Sequence, residues 1–145
     1  MLHAKQYEYA LASFKRVIEL SPNMPEAHVN MGFTLLGLKQ YKLAADFFDS
    51  ATELRPEQIN AYWGLARCLE ASGNLRGAIE AMEAFVHLAK PEHSFRSKGV
   101  KAIGAWEAKL QAQYAAEAVG AKKRAAASKA TAKSSAAEPA SEKPQ

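Results

Sequence analysis

Along residues 25–58, apolar positions recur at helical spacing, break, and recur again. Val29, Phe33 and Leu36 form one series, with Met31 and Leu35 beside it. Lys39, Gln40 and Tyr41 interrupt the pattern. Phe47, Phe48, Ala51 and Leu54 then make a second apolar face. The pattern predicts two short helices joined by a turn. Pro25 and Glu26 suit a first helical turn, where a missing N–H costs nothing and a carboxylate favours the helix dipole. Pro56 ends the second helix, because its ring cannot continue one and it restricts Arg55 before it. From Ile59 the same two-helix pattern returns, and Ser72, Gly73 and Asn74 stop its first helix.

The return has a fixed interval. The similar stretches VIELSP, ATELRP and FVHLAK begin at positions 17, 51 and 85, evenly spaced along the chain. A period in this range marks a stacked repeat array. On the same grid Gly32 and Ala66 share one position, and Ala10, Ala44 and Ala78 share another. Small residues there let helix axes approach, and a larger side chain would overpack the crossing. Phe14, Phe48 and Met82 recur as bulky partners, as do Leu20, Leu54 and Leu88. Helices of about 14 residues are marginal alone in water and persist by packing on neighbours.

These positions resemble the tetratricopeptide repeat family, which builds each unit from two antiparallel helices. The unit from Pro25 supplies His28, Met31, Gly32, Leu35, Ala44, Phe48, Ala51 and Pro56 in the family's pattern. The unit from Ile59 supplies Tyr62, Leu65, Ala66, Leu69, Ala78, Met82 and Phe85, and a leading half unit supplies Ala10, Phe14, Val17 and Pro22. Val17 and Phe85 depart from the family, which prefers a small residue there. Lys90 stands where Pro is expected, with Pro91 one place later. The resemblance covers roughly residues 1–90. It implies an all-α fold, antiparallel helix pairs stacked as a right-handed α-solenoid. The expected organisation is a half repeat over 1–24, repeats over 25–58 and 59–91, a capping helix over 92–120, and a disordered Ala/Lys-rich tail over 121–145.

The cap is read from Phe95, Ile103, Trp106 and Leu110, which fall at helical spacing. Gly99 and Gly104 weaken that helix, so a kink or break near 99 is expected. At the front, residues 1–7 align with the end of a first helix whose body is missing, and Leu11, Phe14, Val17 and Ile18 lack part of their cover. A start upstream of Met1 is expected, and the open face would also suit self-association.

Charge sharpens the reading of the C-terminus. Residues 1–120 hold 13 Lys and Arg against 13 Asp and Glu, so the net charge of +4 sits in 121–145, with six basic residues against Glu138 and Glu142. That segment has no aromatic residue and no Val, Ile, Leu or Met, which predicts disorder. The basic isoelectric point therefore describes a tail and not a binding face. The tail could attract nucleic acid or an anionic membrane without specificity, but no aromatics interleave to stack on bases. Cys68 stands alone, which excludes a disulfide within the chain. No apolar run suffices for a membrane span and positions 1–20 hold no signal-peptide block, so a cytoplasmic location is expected of the chain as written.

No constellation of residues carries chemistry. His3, His28, His87 and His93 are scattered over different units without metal-ligand spacing. His28 reads as a core aromatic substitute and Cys68 as an inert thiol on a helix. No catalytic residue, metal site, cofactor or small-molecule substrate is expected. Binding is the better candidate. The family resemblance places Glu26, Val29, Asn30, Phe33 and Leu36, then Asn60, Trp63, Arg67 and Glu70, on the concave groove formed by the first helix of each unit. Some family members grip a peptide's C-terminal carboxylate with basic and amide groups on that face. Asn30 matches that clamp, whereas Val29, Phe33 and Gly64 depart from it. The expected function is a non-catalytic protein–protein interaction module, an adaptor, assembly factor or scaffold, taking a mostly apolar peptide or helix on Trp63 and Phe33, with Arg67 on an acidic group. A secretion-type chaperone shielding a partner's apolar segment is the alternative.

Overall fold

The structure is a computed structural model that describes residues 2–136. Its elements are α1 (Leu2–Leu20), α2 (Pro25–Gly37), α3 (Tyr41–Leu54), α4 (Ile59–Ala71), α5 (Leu75–Leu88) and α6 (Arg96–Ala136). Among the described residues there is no strand. The chain divides into two compact units, Met1–Ala108 and Lys109–Gln145.

In the first unit each helix packs on the next from α1 to α5, and α2 also touches α4. This is the all-α helical-repeat solenoid that the fixed period predicts. Pro25 opens α2, and Arg55 after α3 is extended (φ −146°), as the residue before Pro56 must be. The bonds at the unit starts repeat as well. The Tyr62 hydroxyl donates to the Pro56 carbonyl at 2.8 Å, and at the matching place one repeat earlier the His28 Nε2–H donates to the Pro22 carbonyl at the same distance. His28 thus replaces an aromatic residue and keeps its hydrogen bond.

The core is centred on Phe48. Its ring lies against Gly32 and Gly64, and a Cβ on Gly32 would come within 2.7 Å of it. Val29, Met31, Leu35, Ala44, Ala51, Ala61 and Cys68 surround it, and Leu11, Phe14 and Ile18 of α1 pack against this cluster while partly exposed. Val17 and Leu20 remain exposed.

Three expectations change. Residues 2–7 belong to α1 itself and do not end a separate helix. The tripeptide KQY shows why. At 39–41 it follows α2, where Lys39 turns left-handed (φ 61°) and the amides of Lys39 and Gln40 bond back to the Leu36 and Leu35 carbonyls. At 5–7 the same tripeptide continues a helix. Second, no break falls at Gly99. Helix α6 begins at Arg96, and Gly99 marks a close approach, since a Cβ there would lie 3.0 Å from Val86 and 3.2 Å from the Met82 sulfur. Trp106 is buried to 7% exposure in the same unit. Third, the segment expected to be a tail is helical through Ala136. Alanine, lysine and arginine rank among the best helix formers, so this backbone can be helical without a core to bury. Side chains 121–133 are all exposed. Residues 137–145 of the expected tail lie outside the described residues.

Candidate functional site

Helices α2 and α4 are the first helices of their repeats, and Phe33 and Trp63 project from the face they share. Together with Asn60, Phe85, His93 and Phe95 they line a cavity of about 320 Å³. The rings are packed edge to face or tilted against one another. Phe33 meets Phe48 at 4.8 Å between centroids, and Trp63 meets Phe85 at 5.0 Å and Phe95 at 5.5 Å. His93 stands against Phe85 at 5.6 Å, and its Nδ1 accepts the Phe95 amide at 3.2 Å. The Lys98 ammonium lies 4.6 Å from the centre of the Phe95 ring. The result is an aromatic cup with a cation at its rim. Phe85 forms its firm back and is fully buried, whereas Phe33 keeps 37% and Phe95 45% of its surface open. Edge-to-face pairs of this kind contribute about 0.5–1.5 kcal/mol beyond burial, so the cup is preformed.

The nine residues expected on this face fare differently. Phe33, Asn60 and Trp63 come together in the cup. Val29 does not line it; at 5% exposure it belongs to the core around Phe48, because α1 and α3 cover that side of α2. Leu36 is half-buried against the same core. Glu26 pairs with Arg55, tying the start of α2 to the link between α3 and α4. A backbone hydrogen bond, then the Arg55 guanidinium, hold its carboxyl below the usual value. Asn30 and Arg67 are exposed and Glu70 is half-buried; none of the three lines the cup. Gly64 is buried, and the Phe48 ring occupies the place of any side chain there.

Sequence reasoning missed Phe85, His93 and Phe95. Phe85 carried a signal, since it stands where the repeat pattern prefers a small residue. The room for it comes from Gly99, whose Cβ would lie 3.3 Å from the Phe85 ring. Helical spacing puts Phe95 on the capping helix expected from 92, but α6 begins only at Arg96, so Phe95 and His93 sit in the turn before it. Cys68 is fully buried, and burial pushes its thiol up to about 11, which makes it a poor nucleophile. Among the described residues no cluster of three His, Cys, Asp or Glu side chains could hold a metal ion. None of the described helices is long and apolar enough to cross a membrane.

Antiparallel helix pairs that repeat at one interval around a shared core define a helical-repeat solenoid. Residues 35–89 match the family model for the tetratricopeptide repeat. Over those residues the chain carries tetratricopeptide repeats. It is 30% identical over 101 residues to the small glutamine-rich tetratricopeptide repeat-containing protein 2 of Mycosarcoma maydis; the match takes in 70% of this chain and 28% of that protein. The chain thus spans little more than a quarter of that relative's length. The fold is similar to that of the Yersinia enterocolitica type III secretion chaperone SycD in complex with a peptide of the translocator YopD. The TM-score is 0.68 at 18% identity, over 73% of this chain and 83% of that one. It is similar also to the first repeat domain of Spaghetti (RPAP3) bound to the HSP90 peptide SRMEEVD, with a TM-score of 0.68 and 18% identity over 74% and 82% of the two chains.

Proposed function

We propose that the protein is a non-catalytic interaction module that binds an extended or helical peptide across α2 and α4, with one large apolar side chain of the ligand seated in the aromatic cup. The observation that carries this is the cup itself. A preformed cavity at the small end of the ligand-pocket range, about 300–1,000 Å³, suits a single side chain better than a metabolite. Phe33 and Phe95 stay open at its mouth beside the half-buried Trp63, and exposed aromatic clusters mark sites of interaction. Asn60 offers an amide to the ligand's backbone. Lys98 and Arg67 favour an acidic residue beside the apolar anchor.

Two fold relatives frame the choice of ligand. Spaghetti is bound to the HSP90 peptide SRMEEVD, and SycD to a peptide of the translocator YopD. Val29, Phe33 and Gly64 leave this face without the groups that grip a carboxylate terminus. The apolar cup therefore favours the second kind of ligand, and with it the reading of a chaperone that shields an apolar segment of its partner. Labelled peptides test this by fluorescence anisotropy. One is an amphipathic peptide with a leucine anchor flanked by glutamates, and the other is SRMEEVD. The first binds, and Trp63→Ala or Phe33→Ala weakens it by more than about tenfold, as expected of a buried anchor. Tighter binding of SRMEEVD, or an affinity unmoved by Trp63→Ala, would reject the proposal.

A further inference from the structure

A second, larger groove of about 730 Å³ lies on the other side of α4. Tyr62, Leu65, Leu69 and Ser72 reach it, on the helical face opposite Asn60 and Trp63. One wall is α3 with Asp46 and Asp49; the other is α5 with Glu80. Between the walls the floor is apolar, with Tyr62, Leu65 and Leu69 beside Ala45 and Ala81. Among the described residues Asp46 and Asp49 take part in no ion pair. Burial, and then the charges of Glu53 and Asp46, push the Asp49 carboxyl above its usual value. A groove with an apolar floor and carboxylates on both walls suits a cationic helix that has a slender, small-residue face.

We infer that this groove is a docking site for residues 121–133 of a second copy of the chain. Laid out as the helix it forms, that stretch carries Ala121, Ala125, Ser128 and Ala132 along one stripe. Lys122, Lys129 and Lys133 border the stripe on one side and Arg124 on the other. No carboxylate interrupts between Glu117 and Glu138. Small residues let the helix sink between α3 and α5, and its cations then face the two walls. Asp46 and Glu80 hold the same place in successive repeats and so stand level across the groove. With Arg124 level with Glu80, the helical rise brings Lys122 and Lys129 within about 3 Å, along the axis, of Asp46 and Asp49. Lys42, at the edge of the α3 wall, is the one cation lining the groove among the described residues. Because residues 1–120 are neutral overall, the attraction is local to the groove and independent of the aromatic cup.

Sedimentation velocity of the full chain tests this across concentration at low and high salt. The wild type is expected to pass from the 15.8 kDa monomer to larger species as concentration rises at low salt. At about 0.5 M salt, where the Debye length falls to roughly 4 Å, the association weakens at least about tenfold. Two variants reverse one side each: Asp46→Lys with Asp49→Lys, and Lys122→Glu with Lys129→Glu. Each alone stays monomeric, and an equimolar mixture associates again, because each groove then meets a helix of opposite charge. The second variant changes only exposed residues outside the repeats, so it reads the contact even if the first unfolds. A wild type that stays monomeric at low salt overturns the inference. So does association that persists in either variant alone or resists salt, which would point to the apolar face of α1. A mixture of folded variants that fails to associate also overturns it.

Discussion

Replacing Gly64 with alanine probes the contact that joins the two repeats. Alanine is normally favoured in a helix interior, by about 1 kcal/mol over glycine. At Gly64 the added methyl runs into the Cζ, Cε1 and Cε2 atoms of Phe48. The ring cannot retreat, because it is fully buried and Gly32 grips its other side, where a Cβ would meet the same ring at 2.7–2.9 Å. Overpacking of a tight core costs about 1–3 kcal/mol, and a clash with three ring atoms belongs at the upper end. Subtracting the propensity gain leaves a net loss of about 2 kcal/mol, or roughly 8 °C in Tm for a chain of this length. Gly104 is the control. It is an exposed glycine inside α6 with nothing within 4 Å of a built Cβ, so Gly104→Ala gains about 1 kcal/mol. Urea and thermal melts followed by far-UV circular dichroism read both. Opposite signs are expected. Trimming the ring with Phe48→Leu should shrink the cost of Gly64→Ala, as a double-mutant cycle would report. If Gly64→Ala stabilises the protein as Gly104→Ala does, the account of the inter-repeat contact is refuted.

Gly73 and Lys39 occupy one grid position, and both are left-handed, at φ 87° and 61°. Gly73→Ala should lose about 1 kcal/mol through conformation alone, because nothing lies within 4 Å of its Cβ, and Lys39→Gly should gain about 0.5–1 kcal/mol; equal melting temperatures for either pair would count against this. The raised Asp49 carboxyl means the folded state favours its protonated form, so its stabilising contribution is complete at low pH and is lost as pH rises through the carboxylate range. Asp49→Asn should therefore melt higher than wild type at neutral pH and equal to it near about pH 3, and a lower melting temperature at neutral pH would contradict the assignment. The buried Cys68 thiol should react with a disulfide reagent only as fast as the chain opens, so its rate should follow unfolding as urea is added; fast labelling in native buffer would place it elsewhere.

The repeat period, the small residues at helix crossings and the proline and glycine stops were all legible in the chain. Each is a local requirement, met by residues that sit at one phase of a helix or one point of a turn. Those same rules could not say which apolar side chains would stay open. Val29 and Phe33 are one helical turn apart, yet Val29 enters the core because α1 and α3 close over it, while Phe33 stands at the mouth of the cup. Phe85, His93 and Phe95 join Trp63 from a different helix and from a turn, a convergence that no spacing along the chain encodes. The tripeptide KQY makes the division plain. The sequence by itself determined that helices would form on both sides of it and at what interval they would repeat. Only the folded structure shows that one copy turns and the other stays helical: at 39–41 the amides close back on the last carbonyls of α2, whereas at 5–7 the helix continues.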